Sequence, residues 1–183
     1  AVKKAKRLIA ISQFTKQEIH DYYHVPLESI VVAPPAPPDK TKLSLKKQSG
    51  WAKPDLDQPF FLYLGTIQPR KKLLNLIKAY ELFAANQQAQ SVSEPKSLPK
   101  LILAGKVGWL AEEILKTIDR SKFKQSIIRL GFVSDLQKTQ LYSKALACIL
   151  VSPYEGFGIP PLEGLQRGCL PIVANSSSLP EVV

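Results

Sequence analysis

The stretch "PFFLYLGTIQPRKKLLNLIKAYELFAANQQ", residues 59–88, changes its hydrophobic period halfway along. "PFFLYLG" (59–65) is a near-continuous apolar run that stops at Gly65. From 71 to 88, Leu74, Ile77 and Leu82 recur at helical spacing, beside Leu73, Leu76 and Tyr80. A buried strand, a glycine turn and a helix are predicted. The succession then repeats. Strands are predicted at "KLILAG" (100–105), "SIIRLGFV" (126–133), "LACILVSP" (146–153) and "LPIVAN" (170–175). Helices are predicted at "GWLAEEILKTIDR" (108–120), "SDLQKTQLYSKA" (134–145) and 159–167. Apolar strands alternating with helices point to a doubly wound parallel α/β sheet, Rossmann-like, covered on both faces. Ligands bind such sheets at the carboxyl ends of the strands. Gly65, Gly105, Gly131 and the loop at 152–158 belong to that edge.

Upstream, "RLIAIS" (7–12) and "SIVVAPP" (29–35) read as short strands around a helix in "SQFTKQEIHDYY". Ser12 or Thr15 can cap that helix, and Thr15 with Glu18 has capping-box spacing. Residues 34–59, rich in Pro, Lys and Ser with Trp51 among them, read as a linker. The expected organisation is the end of an N-terminal domain and a crossover (1–33), a linker (34–59) and a ligand-binding domain (60–183). The first residue is Ala, no Met occurs, and no closing helices follow "PEVV". Truncation at both ends is expected.

The 183 residues suffice for one ordinary core, and 45% hydrophobic with 22% charged residues fits a globular chain. No apolar run approaches the roughly 20 residues that span a bilayer. The formal charge of +10 favours anionic partners. No aromatic-interleaved basic ladder suggests single-strand nucleic-acid stacking, and no nucleic-acid partner is expected. Cys148 and Cys169 sit in apolar surroundings and read as buried free thiols. They fit a reducing, cytoplasmic setting. His20 and His24 lack partners at ligand spacing, so no metal site is expected.

Two loops carry chemistry. In "GTIQPRKK" (65–72), Gly65 permits close approach of a ligand, and Arg70 and Lys71 stand where the next helix is predicted to begin. Cationic side chains beside helix N–H groups suit a diphosphate. The loop is neither a Walker A nor a G-x-G-x-x-G motif. In "YEGFGIPPLEGLQRG" (154–168), Pro160 and Pro161 suit a first helical turn, so Gly156–Gly158 form the turn before it. Glu155 then lies in the loop and Glu163 one turn into the helix. A paired-carboxylate hydrolase needs both groups flanking one bond, and this placement does not suggest it. Two grips on one extended, hydroxyl-bearing ligand suit it better.

"SPYEGFGIPPLEGLQRG" closely resembles the signature of the retaining nucleotide-sugar glycosyltransferases of the GT-B fold, glycosyltransferase family four. "FLYLGTIQPRKKLLNLIKAY", "LILAGKVGW", "IIRLGFVSD" and "NSSSLPEV" are similar to further segments of that family, in its order. "IAISQFTKQEI" and "SIVVAPPAP" resemble the end of its N-terminal domain and the crossover. The chain is thereby identified as the donor-binding half of such an enzyme.

The resemblance implies transfer of a hexosyl group from a nucleoside-diphosphate sugar, with retention and without a metal or other cofactor. It implies that Glu155 contacts donor hexose hydroxyls and that Glu163 binds the ribose. Backbone groups of Gly156, Phe157, Gly158 and Ile159 would face sugar and phosphate. Lys71, with Arg70, would hold the leaving diphosphate, Gly65 and Thr66 would lie against it, and Val133 beside the base. Many members carry Arg where this chain has Thr66; Arg70 is the residue that would supply that charge. The acceptor, a sugar or a lipid-linked sugar, would be bound by the missing N-terminal domain, and the piece alone would bind donor weakly and transfer little. Peripheral association with the inner face of a membrane fits the charge. A nucleotide-sugar epimerase of the same fold and a non-catalytic nucleotide-sugar-binding module are the alternatives.

Overall fold

The computed structural model describes residues 2–36, 55–90 and 97–183. Strand β1 (Leu8–Ala10), helix α1 (Gln13–Tyr23) and strand β2 (Ile30–Val32) come first. β1 and β2 pair in parallel as a two-stranded sheet. There follow β3 (Phe60–Leu64), α2 (Leu73–Gln90), β4 (Lys100–Ala104), α3 (Glu112–Arg120) and β5 (Ile127–Gly131). Helix α4 (Asp135–Lys144), β6 (Ala147–Leu150), α5 (Ile159–Leu165) and β7 (Leu170–Val173) complete the chain. Strands β3–β7 form one parallel sheet in the order β5-β4-β3-β6-β7. The middle of the expected linker, with Trp51, lies outside the described residues.

The strand period divides the core in two. Tyr63, Leu101 and Leu103 join one cluster with Leu73, Ile77 and Tyr80 of α2 and Ile114 and Ile118 of α3. Phe60, Leu62, Ile102 and Ala104 join the other with Leu141 and Tyr142 of α4. Neighbouring residues of one strand thus bury into opposite faces, which is why β3 and β4 read as unbroken apolar runs. Cys148 and Cys169 are buried free thiols in the second cluster.

Four local expectations are corrected. Helix α1 is capped by Ser12, whose side chain accepts from the Thr15 N–H, so Thr15 and Glu18 form no capping box. Helix α2 begins at Leu73, because Pro69–Lys71 make a separate 3-10 turn and Lys72 turns left-handed at φ 52°. Helix α3 begins at Glu112 rather than 108, since Leu110 is also left-handed, at φ 55°. Leu82 is 69% exposed, and Ala84 is buried with Leu73, Leu76, Ile77 and Tyr80.

Past β3 and β4 the backbones stay in contact. Gly65 N–H donates to Ala104 O at 2.9 Å, and Ile67 N–H donates to Lys106 O at 2.9 Å. A Cβ on Gly105 would lie 1.9 Å from the Gly65 carbonyl oxygen, which is main chain and cannot swing away. Gly105→Ala is therefore expected to cost about 3 kcal/mol, as overpacking does. Urea unfolding of the variant against the parent checks this.

Candidate functional site

The chain leaves β3 toward β4 and β5 but leaves β6 toward β7, on the other side of the sheet. β3 and β6 are adjacent, with Leu62 opposite Cys148. In doubly wound sheets such a reversal of direction marks the ligand-binding edge. Both candidate loops rise from this point. After β3, the Tyr63 hydroxyl donates to Thr66 O at 2.9 Å and holds the start of loop 65–72. Arg70 and Lys71 follow in the 3-10 turn, one step ahead of α2 rather than in its first turn.

After β6, the carboxylate of Glu155 meets this turn. Lys71 Nζ donates to Glu155 Oε1, and Arg70 Nη1 stands 3.9 Å from Oε2. Arg70 Nη1 also donates to Tyr154 O at 3.0 Å. The Lys71 and Glu155 side chains are each only 14% exposed. Burial, then the charge of Glu155, pushes the Tyr63 phenol well above its ordinary pKa, so it remains a neutral donor. Gly158, at φ 112° and ψ 58°, turns the chain into α5, where Ile159, Pro160 and Pro161 open the helix. A Cβ there would fall 2.8 Å from Leu179 Cδ2.

Glu163 lies on α5 and is 4% exposed. Its Oε1 accepts from Lys138 Nζ at 2.8 Å, and its Oε2 lies 3.3 Å from the Tyr142 hydroxyl. That hydroxyl is also 2.9 Å from Pro160 O. Lys138 further pairs with Asp135 at 3.0 Å. Burial works against the Lys138 charge, but Glu163 and Asp135 outweigh it and raise the pKa. Beside this group a cavity of 520 Å³ opens on the carboxyl edge, lined by Gly65, Thr66, Lys106, Val133, Asp135 and Lys138 among others.

The structure therefore brings Arg70, Lys71 and Glu155 together, and places Gly65, Thr66 and Val133 on one cavity. Glu163 reaches that cavity through Lys138. Gly156, Phe157 and Gly158 form the turn before α5, Ile159 begins the helix, and none of the four is part of the cavity wall. Sequence reasoning missed Lys138, Asp135 and Tyr142. The available signal was position: α4 starts straight after β5, so its first turns stand on the ligand edge. Among the described residues no cluster of His, Cys, Asp or Glu could hold a metal ion. No helix among them is long and apolar enough to cross a membrane.

Removing one partner of a buried ion pair leaves the other charge unpaired, at a cost of roughly 3 kcal/mol. Lys138→Met should lose about that much stability in urea unfolding, and the double variant Lys138→Met/Glu163→Gln should regain most of it. Because the folded pKa of Lys138 is raised above 10.5, its contribution is complete below that pH. It is lost as pH rises through the folded value, so the gap between the parent and Lys138→Met should narrow only in strong alkali.

A profile of the family "Glycosyl transferases group 1" matches residues 46–183. The chain is 31% identical to "O-antigen chain mannosyltransferase B" of Escherichia coli, over 98% of this chain and 46% of that one. It is also 31% identical to "Serotype-specific mannosyltransferase WbdA" of Escherichia coli, over 98% of this chain and 22% of that one. The chain thus spans about half or less of the length of these relatives. Among solved structures, Anabaena Alr3699/HepE in complex with UDP and glucose superposes with a TM-score of 0.70 at 19% identity, covering 100% of this chain and 48% of that one. That likeness shows the fold, the GT-B glycosyltransferase fold. By its profile match and its relatives, this chain belongs to the group 1 glycosyl transferases.

Proposed function

We propose that this chain is the donor-binding half of a retaining, metal-independent glycosyltransferase that moves a mannosyl group from a nucleoside-diphosphate mannose to an acceptor hydroxyl. One observation carries the reading. The loop after β3 carries both Lys71, which meets Glu155, and Gly65 and Thr66, which line a cavity whose wall includes Lys138, the partner of Glu163. Cations, a gap and two separated carboxylates match a diphosphate flanked by hexose on one side and ribose on the other. The mannosyl group is suggested by the names of the Escherichia coli relatives.

In this reading Glu155 accepts hydrogen bonds from hexose hydroxyls, while Lys71 and Arg70 contact the diphosphate. Gly65 and Thr66 let the phosphates come near the backbone, Val133 flanks the base, and main-chain groups of 156–159 face the sugar. Glu163 binds the ribose. Both its oxygens already have partners, yet each carboxylate oxygen has capacity for a second donor. When the bond from the sugar to the diphosphate breaks, negative charge grows on the departing oxygen. Positive side chains fixed at that place lower the barrier, the service a metal performs elsewhere. The sugar or lipid-linked acceptor would be held by the longer protein, outside this chain. The +10 charge supports work at the cytoplasmic face of an anionic membrane.

Calorimetry with GDP-mannose tests the site. Lys71→Ala and Glu163→Gln should each weaken binding about tenfold, equivalent to ~1.4 kcal/mol. Unchanged affinity in both variants defeats the assignment. In the longer protein, NMR of the product should show the anomeric configuration of the donor. An epimerised nucleotide sugar formed without acceptor would favour the epimerase instead, and binding without turnover the non-catalytic module.

A further inference from the structure

The main chain around Glu155 is held by hydroxyl groups from two distant segments. Glu155 N–H donates to Ser177 Oγ at 2.9 Å. Ser178 Oγ lies 2.7 Å from Glu155 O and 3.0 Å from Phe157 O, a donor shared by two carbonyls. Gly156 O faces Ser12 Oγ at 2.8 Å and Thr15 Oγ1 at 3.1 Å. Ser12 and Ser178 are fully buried. The peptide groups on both sides of Glu155 are therefore fixed by side chains that touch neither Lys71 nor the cavity.

The segment that supplies Ser12 is itself docked. Glu181 accepts the N–H groups of Gln13 and Phe14, both at 2.7 Å, at the start of α1. Phe14 packs edge-on against Tyr154 with ring centroids 5.4 Å apart, and the Tyr154 hydroxyl reaches Glu18 at 2.9 Å. Ser177 has a left-handed backbone, φ 51°, although it is not glycine. Glycine would be favoured there for conformation alone. The serine brings the oxygen that receives the Glu155 N–H. Backbone strain kept for the sake of one contact next to a candidate site is a mark of positioning.

We propose that Ser12, Ser177 and Ser178 are positioning residues for the donor sugar, fixing the main chain at 155–157 so that the Glu155 carboxylate is held in place for it. The proposal rests on the reading of Glu155 as the group that grips that sugar. Its consequence is selective. Loosening the 155–157 main chain should weaken contacts to the sugar and leave those to the nucleotide intact.

Calorimetry on the full 183-residue chain with two probes, GDP-mannose and GDP, separates these effects. Ser177→Gly is the decisive variant, because it relieves the left-handed strain while deleting the acceptor. Relief of the left-handed strain offsets much of the lost hydrogen bond, so its thermal midpoint should stay close to that of the parent and loss of fold does not confuse the result. GDP affinity should stay within about twofold, while GDP-mannose affinity falls about tenfold, the scale of one weakened contact between Glu155 and a sugar hydroxyl. Ser178→Ala and Ser12→Ala should shift the two probes in the same selective way. Ser177→Asn should restore GDP-mannose binding, since asparagine tolerates the left-handed region and its side-chain oxygen can accept a nearby N–H. Glu155→Ala sets the benchmark. If it weakens GDP-mannose selectively and Ser177→Gly does not, the positioning proposal is wrong. Equal weakening of both probes by Ser177→Gly also overturns it. If Glu155→Ala is not selective, or the parent binds neither probe, the donor-site reading fails and the proposal falls with it.

Discussion

The parallel pairing of β3 with β6 is the constraint on which the site depends. These strands are separated by the whole of α2, β4, α3, β5 and α4, yet lie side by side at the centre of the sheet. The loops that follow them start side by side, so side chains 84 positions apart in sequence can meet. Lys71 and Glu155 do so with little exposure. A partly buried ion pair is weak ground for stability, because desolvation of both charges offsets their attraction. A hydrophobic pair at this place would serve the fold as well. In the proposed donor site the charges would exchange each other for a diphosphate, at the lysine, and for hydroxyl groups, at the glutamate.

The order of elements was legible because each strand carries apolar side chains for two faces. Phe60 and Leu62 bury on one side, Tyr63 on the other, and no polar residue interrupts the run. Helix starts were less legible. Arg70 and Lys71 looked like first-turn residues, and only the left-handed Lys72 divides their turn from α2. At Leu110 a similar reversal delays α3 and leaves Trp109 82% exposed. Apolar spacing reports a helix's face, not where a single residue reverses the backbone.

The candidate site was legible by kind but not by partnership. Gly65, Lys71, Glu155 and Glu163 stand out by residue type and spacing. Their partners do not, since contact requires the strand order, which spacing leaves open. Lys138 and Tyr142 are ordinary surface-looking members of "SDLQKTQLYSKA" until α4 is packed against α5. Ser177 and Ser178 read as a polar turn until the loop after β6 lies over them. The segment expected to end an N-terminal domain likewise contributes Ser12 and Thr15 to the hold on Gly156 O.

Both carboxylates of the signature are paired with lysines, one from the loop after β3 and one from α4. A bare buried carboxylate would pay a large desolvation cost, or bind a proton and lose its value as an acceptor. Each carboxylate here has a lysine ammonium within reach, which offsets part of that cost. A ligand with anionic and hydroxyl groups can then replace one set of polar contacts by another. In the proposed donor site Lys71 would gain phosphate oxygens as Glu155 gained hydroxyl donors, so that neither charge would lose its partner. This also gives a physical reason for the fixed main chain around Glu155. A carboxylate that must trade partners without losing its place needs a backbone that does not follow it, and the serine hydroxyls on either side supply that restraint.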